Sequence, residues 1–244
     1  MRKIFLCIAL GLGMLQAQNV YAIFNVVPTQ DANLTLDSSG SIAEINVSVG
    51  SKVKKGMQLL QLANKDKVAN VKMQQAQSQA IQQQYLFAQK QYQRYKKTRN
   101  AVDRNTLDKY YFDFKNLESS YLQSQHNVEY QKELLNKTIL KAPFDGIIAS
   151  KNVELGDGVS ANNTILFRLI SKETKIILEF DVKYAGNVKE GDEFEFSLGD
   201  EKKRVVKLSK VYPTADENTR KVKAEAIVEG LIPGTFGDGY IRTK

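Results

Sequence analysis

Residues 40–60, GSIAEINVSVGSKVKKGMQLL, and residues 146–166, GIIASKNVELGDGVSANNTIL, align without a gap at one constant offset. Gly40 falls on Gly146 and Gly50 on Gly156. Ile42 falls on Ile148, Val47 on Val153, Val49 on Leu155 and Val53 on Val159, and Leu59 and Leu60 fall on Ile165 and Leu166. In each stretch apolar residues alternate and a glycine breaks the run, which predicts short strands around a turn. Each half is too small to bury its own apolar face, and two halves folded together would do so. The residues between them must therefore leave a small sheet and return to it.

Those intervening residues read as helix. From Lys65 to Lys137 the chain has no glycine and no proline, the two residues that most strongly interrupt a helix. Ile81, Tyr85, Ala88, Tyr92 and Tyr95 step by four and three. Leu107, Tyr110, Phe114, Leu117, Tyr121, Ser124, Val128, Gln131 and Leu135 continue that spacing as a heptad seam diluted by Ser124 and Gln131. Asn105 is the expected N-cap of the second arm and Asp103 the other candidate. Two arms of about 35 residues would each reach roughly 50 Å, forming an antiparallel hairpin. The Gln-rich stretch 74–84 keeps an apolar stripe through Met73, Ala76, Ala80 and Ile81, so it reads as helix rather than low-complexity sequence.

The flanks complete the plan. Arg2 and Lys3, the apolar run of residues 4–15 and Val20-Tyr21-Ala22 resemble a secretory leader, with cleavage expected after Ala22. The single cysteine, Cys7, lies inside that run, so the exported chain would carry no disulfide, thiolate metal site or cysteine nucleophile. Residues 23–27 form a strand ended by Pro28, and residues 33–36 a second. After the second half, residues 175–182, 193–196, 204–211, 222–228 and 239–241 read as strands of a small antiparallel β-barrel. The fold class is therefore mixed α and β, elongated and multi-domain. The expected segments are a leader (1–22), N-terminal strands with the first half (23–63), the hairpin (64–138), the second half (139–170) and the barrel (171–244).

Composition narrows the function. With one histidine, His126, and no exported cysteine, no catalytic triad or dyad can be assembled, and the chain reads as non-enzymatic. Met57 and Met73 are isolated, so no thioether metal site forms, and no cofactor is implied. His126 reads as a helix-surface residue. The net charge of +8 is spread along the chain and reads as a solvated basic surface rather than a nucleic-acid interface.

Two lipoyl-like halves with an inserted helical hairpin resemble the periplasmic adaptor, or membrane fusion protein, family (HlyD/RND type) of tripartite efflux pumps. The resemblance rests on residues 39–62 and 140–170, most specifically Ala142-Pro143-Phe144-Asp145-Gly146. It also rests on residues 213–241, with Thr219-Arg220 and Leu231-Ile232-Pro233-Gly234. It implies an adaptor assembled as a six-membered ring, joining an inner-membrane transporter to a TolC-like outer-membrane channel. The lipoyl domains would form a collar, the hairpin would point to the channel and the barrel would face the transporter. The expected location is the periplasm, held at the inner membrane through partners. The expected transporter is of the resistance-nodulation-division (RND) type, exporting drugs or other small toxic compounds, with an ABC-type exporter as the alternative.

The family's hairpin tip carries Arg, then Leu four residues on, then Ser seven further. Arg94 matches, Thr98 stands for the Leu and Asn105 for the Ser. These three are the expected channel contacts. Gly40, Gly50, Pro143, Gly146 and Gly156 are expected as structural turns. The resemblance also leads us to expect that the family's membrane-proximal domain is absent or minimal. A true lipoyl or biotinyl carrier would present a lysine on a tight hairpin between its halves, where this chain has helices. An exported coiled-coil scaffold would explain the heptads and leave the paired halves unexplained.

Overall fold

The computed structural model describes residues 19–98, 103–198 and 203–243. The expected leader lies outside the described residues except for its last four positions. In chain order the first elements are β1 (Asn19–Pro28), β2 (Asp31–Leu34), β3 (Gly40–Ile45), β4 (Lys52–Val53) and β5 (Gln58–Leu62). Next come α1 (Lys65–Lys97) and α2 (Arg104–Asn136), followed by β6 (Ile139–Lys141), β7 (Gly146–Lys151), β8 (Gly158–Val159) and β9 (Phe167–Ser171). The last are β10 (Thr174–Asp181), β11 (Glu193–Phe196), β12 (Arg204–Lys207), β13 (Lys210–Asp216), β14 (Lys221–Val228) and β15 (Phe236–Arg242). They form two units, residues 32–169 and the residues on either side of them.

In the first unit the two halves interlock through their backbones. One sheet runs β2-β9-β7-β4 and the other β6-β5-β3-β8, so each contains strands of both halves. Val53 of the first half pairs with Gly146 of the second, and Val159 of the second pairs with Gly40 of the first. The hydrogen bonds repeat the same reciprocity. Gly50 N–H donates to Ile148 O at 2.8 Å, and Gly156 N–H donates to Ile42 O at 3.0 Å. Gly50 and Gly156 hold φ of 85° and 93°, a region closed to residues with a Cβ except at a cost of about 1–3 kcal/mol.

Ile42, Leu59, Leu60 and Leu62 pack with Ile148, Leu166, Phe167 and Leu169 in one core. The aligned pair Val49 and Leu155 points outward, 60% and 67% exposed. The Ala142–Gly146 segment is bound to the first half: Gly56 N–H donates to Ala142 O at 2.8 Å, and Asp145 Oδ1 accepts from Lys55 N–H at 2.7 Å.

The hairpin leaves and re-enters this sandwich at one buried contact. Asn64, just before α1, and Thr138, just after α2, are 6% and 1% exposed. Asn64 Nδ2 donates to Thr138 Oγ1 at 2.9 Å, Thr138 Oγ1 donates to Leu135 O at 2.6 Å, and Leu62 N–H donates to Thr138 O at 2.9 Å.

The second unit is the expected antiparallel barrel, a seven-stranded sheet in the order β12-β11-β15-β1-β10-β14-β13 around one core. Here β1 departs from the sequence reading, which grouped it with the first half. Its middle position lets it pair with β15 on one side and β10 on the other. The expected cleavage after Ala22 falls inside this strand. Val20 and Ala22 are fully buried, and Tyr21 and Ala22 pair with Tyr240 and Gly239, so a chain starting at Ile23 would lack two core side chains. The run 204–211 is also divided, β12 ending at Lys207 and β13 starting at Lys210, with buried Leu208 between them.

Phe24 packs edge-on against Phe194 and Phe196, with centroids 5.7 and 4.9 Å away. A Cβ on Gly239 would overlap the Glu195 carbonyl oxygen and lie 2.8 Å from the Phe194 ring.

Two outcomes follow for stability. Gly239→Val should destabilise the barrel by about 2–3 kcal/mol through overpacking, read as a lower urea midpoint. Thr138→Val strands the buried Asn64 amide and should cost about 1–3 kcal/mol, read by the same unfolding curve.

Candidate docking site at the hairpin tip

The two arms are joined by layers whose chemistry changes along their length. Near the sandwich the facing pairs are polar. Asn70 Nδ2 donates to Gln131 Oε1 at 2.9 Å, Asn127 Nδ2 to Gln74 Oε1 at 2.7 Å, and the Ser78 and Ser124 hydroxyls lie 2.9 Å apart. Toward the tip the layers are aromatic. Tyr85 stacks on Phe114 at 5.7 Å and on Tyr121 at 5.6 Å, Tyr92 on Phe114 at 5.8 Å, and Tyr95 on Tyr110 at 4.2 Å. Such pairs add about 0.5–1.5 kcal/mol each beyond burial, so the end farthest from the core is held by its own rings. The hydrogen bond that Tyr110 makes to Tyr95 raises the Tyr110 phenol above its usual value, with burial and the charge of Asp113 adding to the shift.

Arg94 and Thr98 sit together at the end of α1. Thr98 is its C-cap: its N–H donates to Arg94 O, and its hydroxyl donates to Arg94 O and Tyr95 O, all at 3.3 Å. Asn105 lies across the connection as the second residue of α2, exposed with its two expected partners. Residues 99–102, which join the arms, lie outside the described residues. The expected N-cap is corrected. Asp103 caps α2 by accepting from Thr106 N–H at 3.3 Å, because the helix begins one residue before Asn105 and leaves Asn105 inside the first turn.

Sequence reasoning singled out Arg94 and missed its neighbours. Phe87, Lys90 and Lys97 share its flank at helical spacing and are exposed. The signal was present as an unbroken run of cations: between residues 90 and 104 stand Lys90, Arg94, Lys96, Lys97, Arg99 and Arg104 against Asp103 alone. Lys96 lies 5.8 Å from the Tyr92 ring centroid. His126 is on the helix surface, 3.2 Å from Glu129. Among the described residues no group of three or more His, Cys, Asp or Glu is placed to hold a metal ion. No described helix is long and apolar enough to cross a membrane.

Comparison with known proteins agrees with this architecture. The family described as CzcB-like, barrel-sandwich hybrid domain matches residues 30–169. An uncharacterized protein of Haemophilus influenzae is 29% identical over 143 residues, covering 58% of this chain and 34% of that protein. The chain thus spans about a third of the curated relative it matches. Among solved structures, a MacA-MexA chimera containing the Pseudomonas aeruginosa MexA α-hairpin domain superposes with a TM-score of 0.69 at 24% identity, over 93% of this chain and 83% of that one. The membrane fusion protein Spr0693 of Streptococcus pneumoniae R6 gives 0.67 at 18% identity, over 92% and 98%. These likenesses bear on the fold.

If the aromatic layers hold the tip, Tyr95→Ala should speed amide exchange about tenfold at the end of α1 and the start of α2, while protection in the sandwich stays unchanged in a hydrogen-exchange experiment.

Proposed function

The chain belongs to the CzcB-like barrel-sandwich hybrid family, and from that premise we propose that it is a periplasmic adaptor of a tripartite efflux assembly. In this reading it links an inner-membrane transporter to a TolC-like outer-membrane channel and exports drugs or other small toxic compounds. The observation that carries the reading is the hairpin itself. Two 33-residue helices reach about 50 Å from a sandwich that joins their base, and they finish in an exposed tip that carries Arg94, Thr98 and Asn105. A rigid arm of this kind has work to do only at its end, against another protein.

The role of each part follows. Arg94, Thr98 and Asn105 meet the channel at the tip. The interlocked sandwich, with Val49 and Leu155 projecting from its two glycine turns, packs against copies of itself in a ring, which we take as six-membered. The barrel contacts the transporter. For the transporter we propose the RND type. A second reading, an ABC-type exporter, is favoured by β1. That reading suits an N-terminal segment kept rather than cleaved after Ala22, and residues 19–22 are part of the middle strand of the barrel.

Crosslinked pull-down from native membranes tests this. The wild-type chain should recover one inner-membrane transporter and one outer-membrane channel. Arg94→Asp should reduce channel recovery at least about tenfold through charge reversal at a docking contact, with transporter recovery and circular dichroism unchanged. Undiminished channel recovery by that variant would remove the tip assignment.

A further inference from the structure

Phe87, Lys90, Arg94 and Lys97 form a flank of α1 that the hairpin does not use. They step by three, four and three, and lie on the side of the helix away from Tyr85, Ala88, Tyr92 and Tyr95, which face α2. All four are exposed, Phe87 at 60%. With Gln93 they line a shallow groove of about 430 Å³. Among the described residues none of the three cations has a carboxylate within ion-pair distance. Lys115, on α2, is held by Glu118 at 2.6 Å; what sets the flank apart is three cations on one face beside an exposed ring. The nearest acid in sequence, Asp103, is occupied as the cap of α2. Like charges one helical turn apart weaken a helix by a few tenths of a kcal/mol per pair. Arg94 and Lys97 stand in the last turn of α1 and favour the helix dipole there, but the described residues supply no carboxylate partner for any of the three.

We infer that this flank docks an acidic protein surface: a helix or ridge of the channel whose carboxylates meet Lys90, Arg94 and Lys97 while an apolar side chain rests on Phe87. The inference rests on the adaptor reading for the identity of the partner, and it adds the chemistry of the contact. Recognition extends from the tip residues Thr98 and Asn105 along the side of α1 and becomes sensitive to salt. Cations in a row with an exposed ring at one end fit a partner that supplies both charge and a hydrophobic edge. A purely anionic surface would leave Phe87 unmatched.

The test uses the purified full chain and a labelled helical peptide with glutamates at helical spacing around one leucine, followed by fluorescence anisotropy. The same peptide with glutamine for glutamate is the control, and vesicles of phosphatidylglycerol provide a lipid arm. The acidic peptide should bind, and the glutamine peptide should bind at least about tenfold more weakly. Raising NaCl from about 50 to about 300 mM should weaken the acidic peptide by roughly tenfold. The pair Lys90→Glu and Lys97→Glu should remove binding, while Phe87→Ser should weaken it several-fold with the salt dependence kept. Equal binding of the two peptides, no effect of the double reversal, or binding to the vesicles and not to the acidic peptide would each overturn the proposal.

A photo-crosslinker at Thr98 in cells separates the two readings. A channel product formed at wild-type yield by the charge-reversed flank overturns the acidic-surface inference and leaves the adaptor reading in place. No channel product from the native flank overturns the adaptor reading, and the peptide titration still decides the chemistry.

Discussion

The buried bond between Asn64 and Thr138 is the contact on which the hairpin unit depends. These residues are 74 positions apart in sequence, and between them lie two helices that pack chiefly against each other. Each residue of the two helices is ordered at a backbone entropy cost of about 1–2 kcal/mol, offset only along a narrow seam. Closing the base fixes the separation and direction of both helices at once, so that each later layer meets a partner already at the right distance. The interlocked halves make that closure possible. Because β5 pairs with β3 on one side and β6 on the other, the residues leading into α1 and out of α2 are neighbours in one sheet before either helix begins.

The seam then divides its labour by height. The polar layers at Asn70, Gln74 and Ser78 contribute little net stability, since such bonds exchange for water. Their value is register: a one-turn slip would bury an unmatched amide against an alkyl chain. The aromatic layers at Tyr85, Tyr92 and Tyr95 tolerate more sliding and bury more surface. They stand where the sandwich can no longer help.

Much of this was legible in the sequence, for identifiable reasons. The constant offset between residues 40–60 and 146–166 exposed the paired halves because each supplies equivalent strands and an equivalent glycine turn. The absence of glycine and proline across the hairpin and the heptad spacing of Leu107 to Leu135 exposed the helices. The alternation and spacing of the short strands after residue 174 pointed to the barrel. What the sequence hid was partnership. Alternation marks residues 23–27 as a strand and says nothing of which sheet takes it, and the strands that flank β1 lie about 150 and about 215 residues later. Val20 and Ala22 misled further, because small apolar side chains suit both a peptidase recognition site and the interior of a crowded barrel. At the tip, Asp103 and Asn105 are both good caps. Only the backbone shows that the amide in need of an acceptor is that of Thr106.

The treatment of charge separates the parts of the molecule by what they are for. In the barrel, carboxylates are answered within the chain. Glu225 is pushed up by burial, yet is held below its usual range by Lys175 at 2.7 Å and by the Tyr212 hydroxyl. Glu195 is held low chiefly by Lys203 at 2.5 Å, and Arg242 bonds to it as well. Glu179 lies between Lys221 and Lys223. Those pairs bridge neighbouring strands and belong to the fold. On the tip flank the three cations meet no carboxylate among the described residues, and beyond the favourable end of the helix dipole for Arg94 and Lys97 the aromatic seam behind them does not call for their charge. Side chains on which folding places no demand are free to be set by whatever the surface meets. A run of cations kept beside an exposed phenylalanine, at the end of an arm about 50 Å long, is best accounted for by a partner that carries the missing acids.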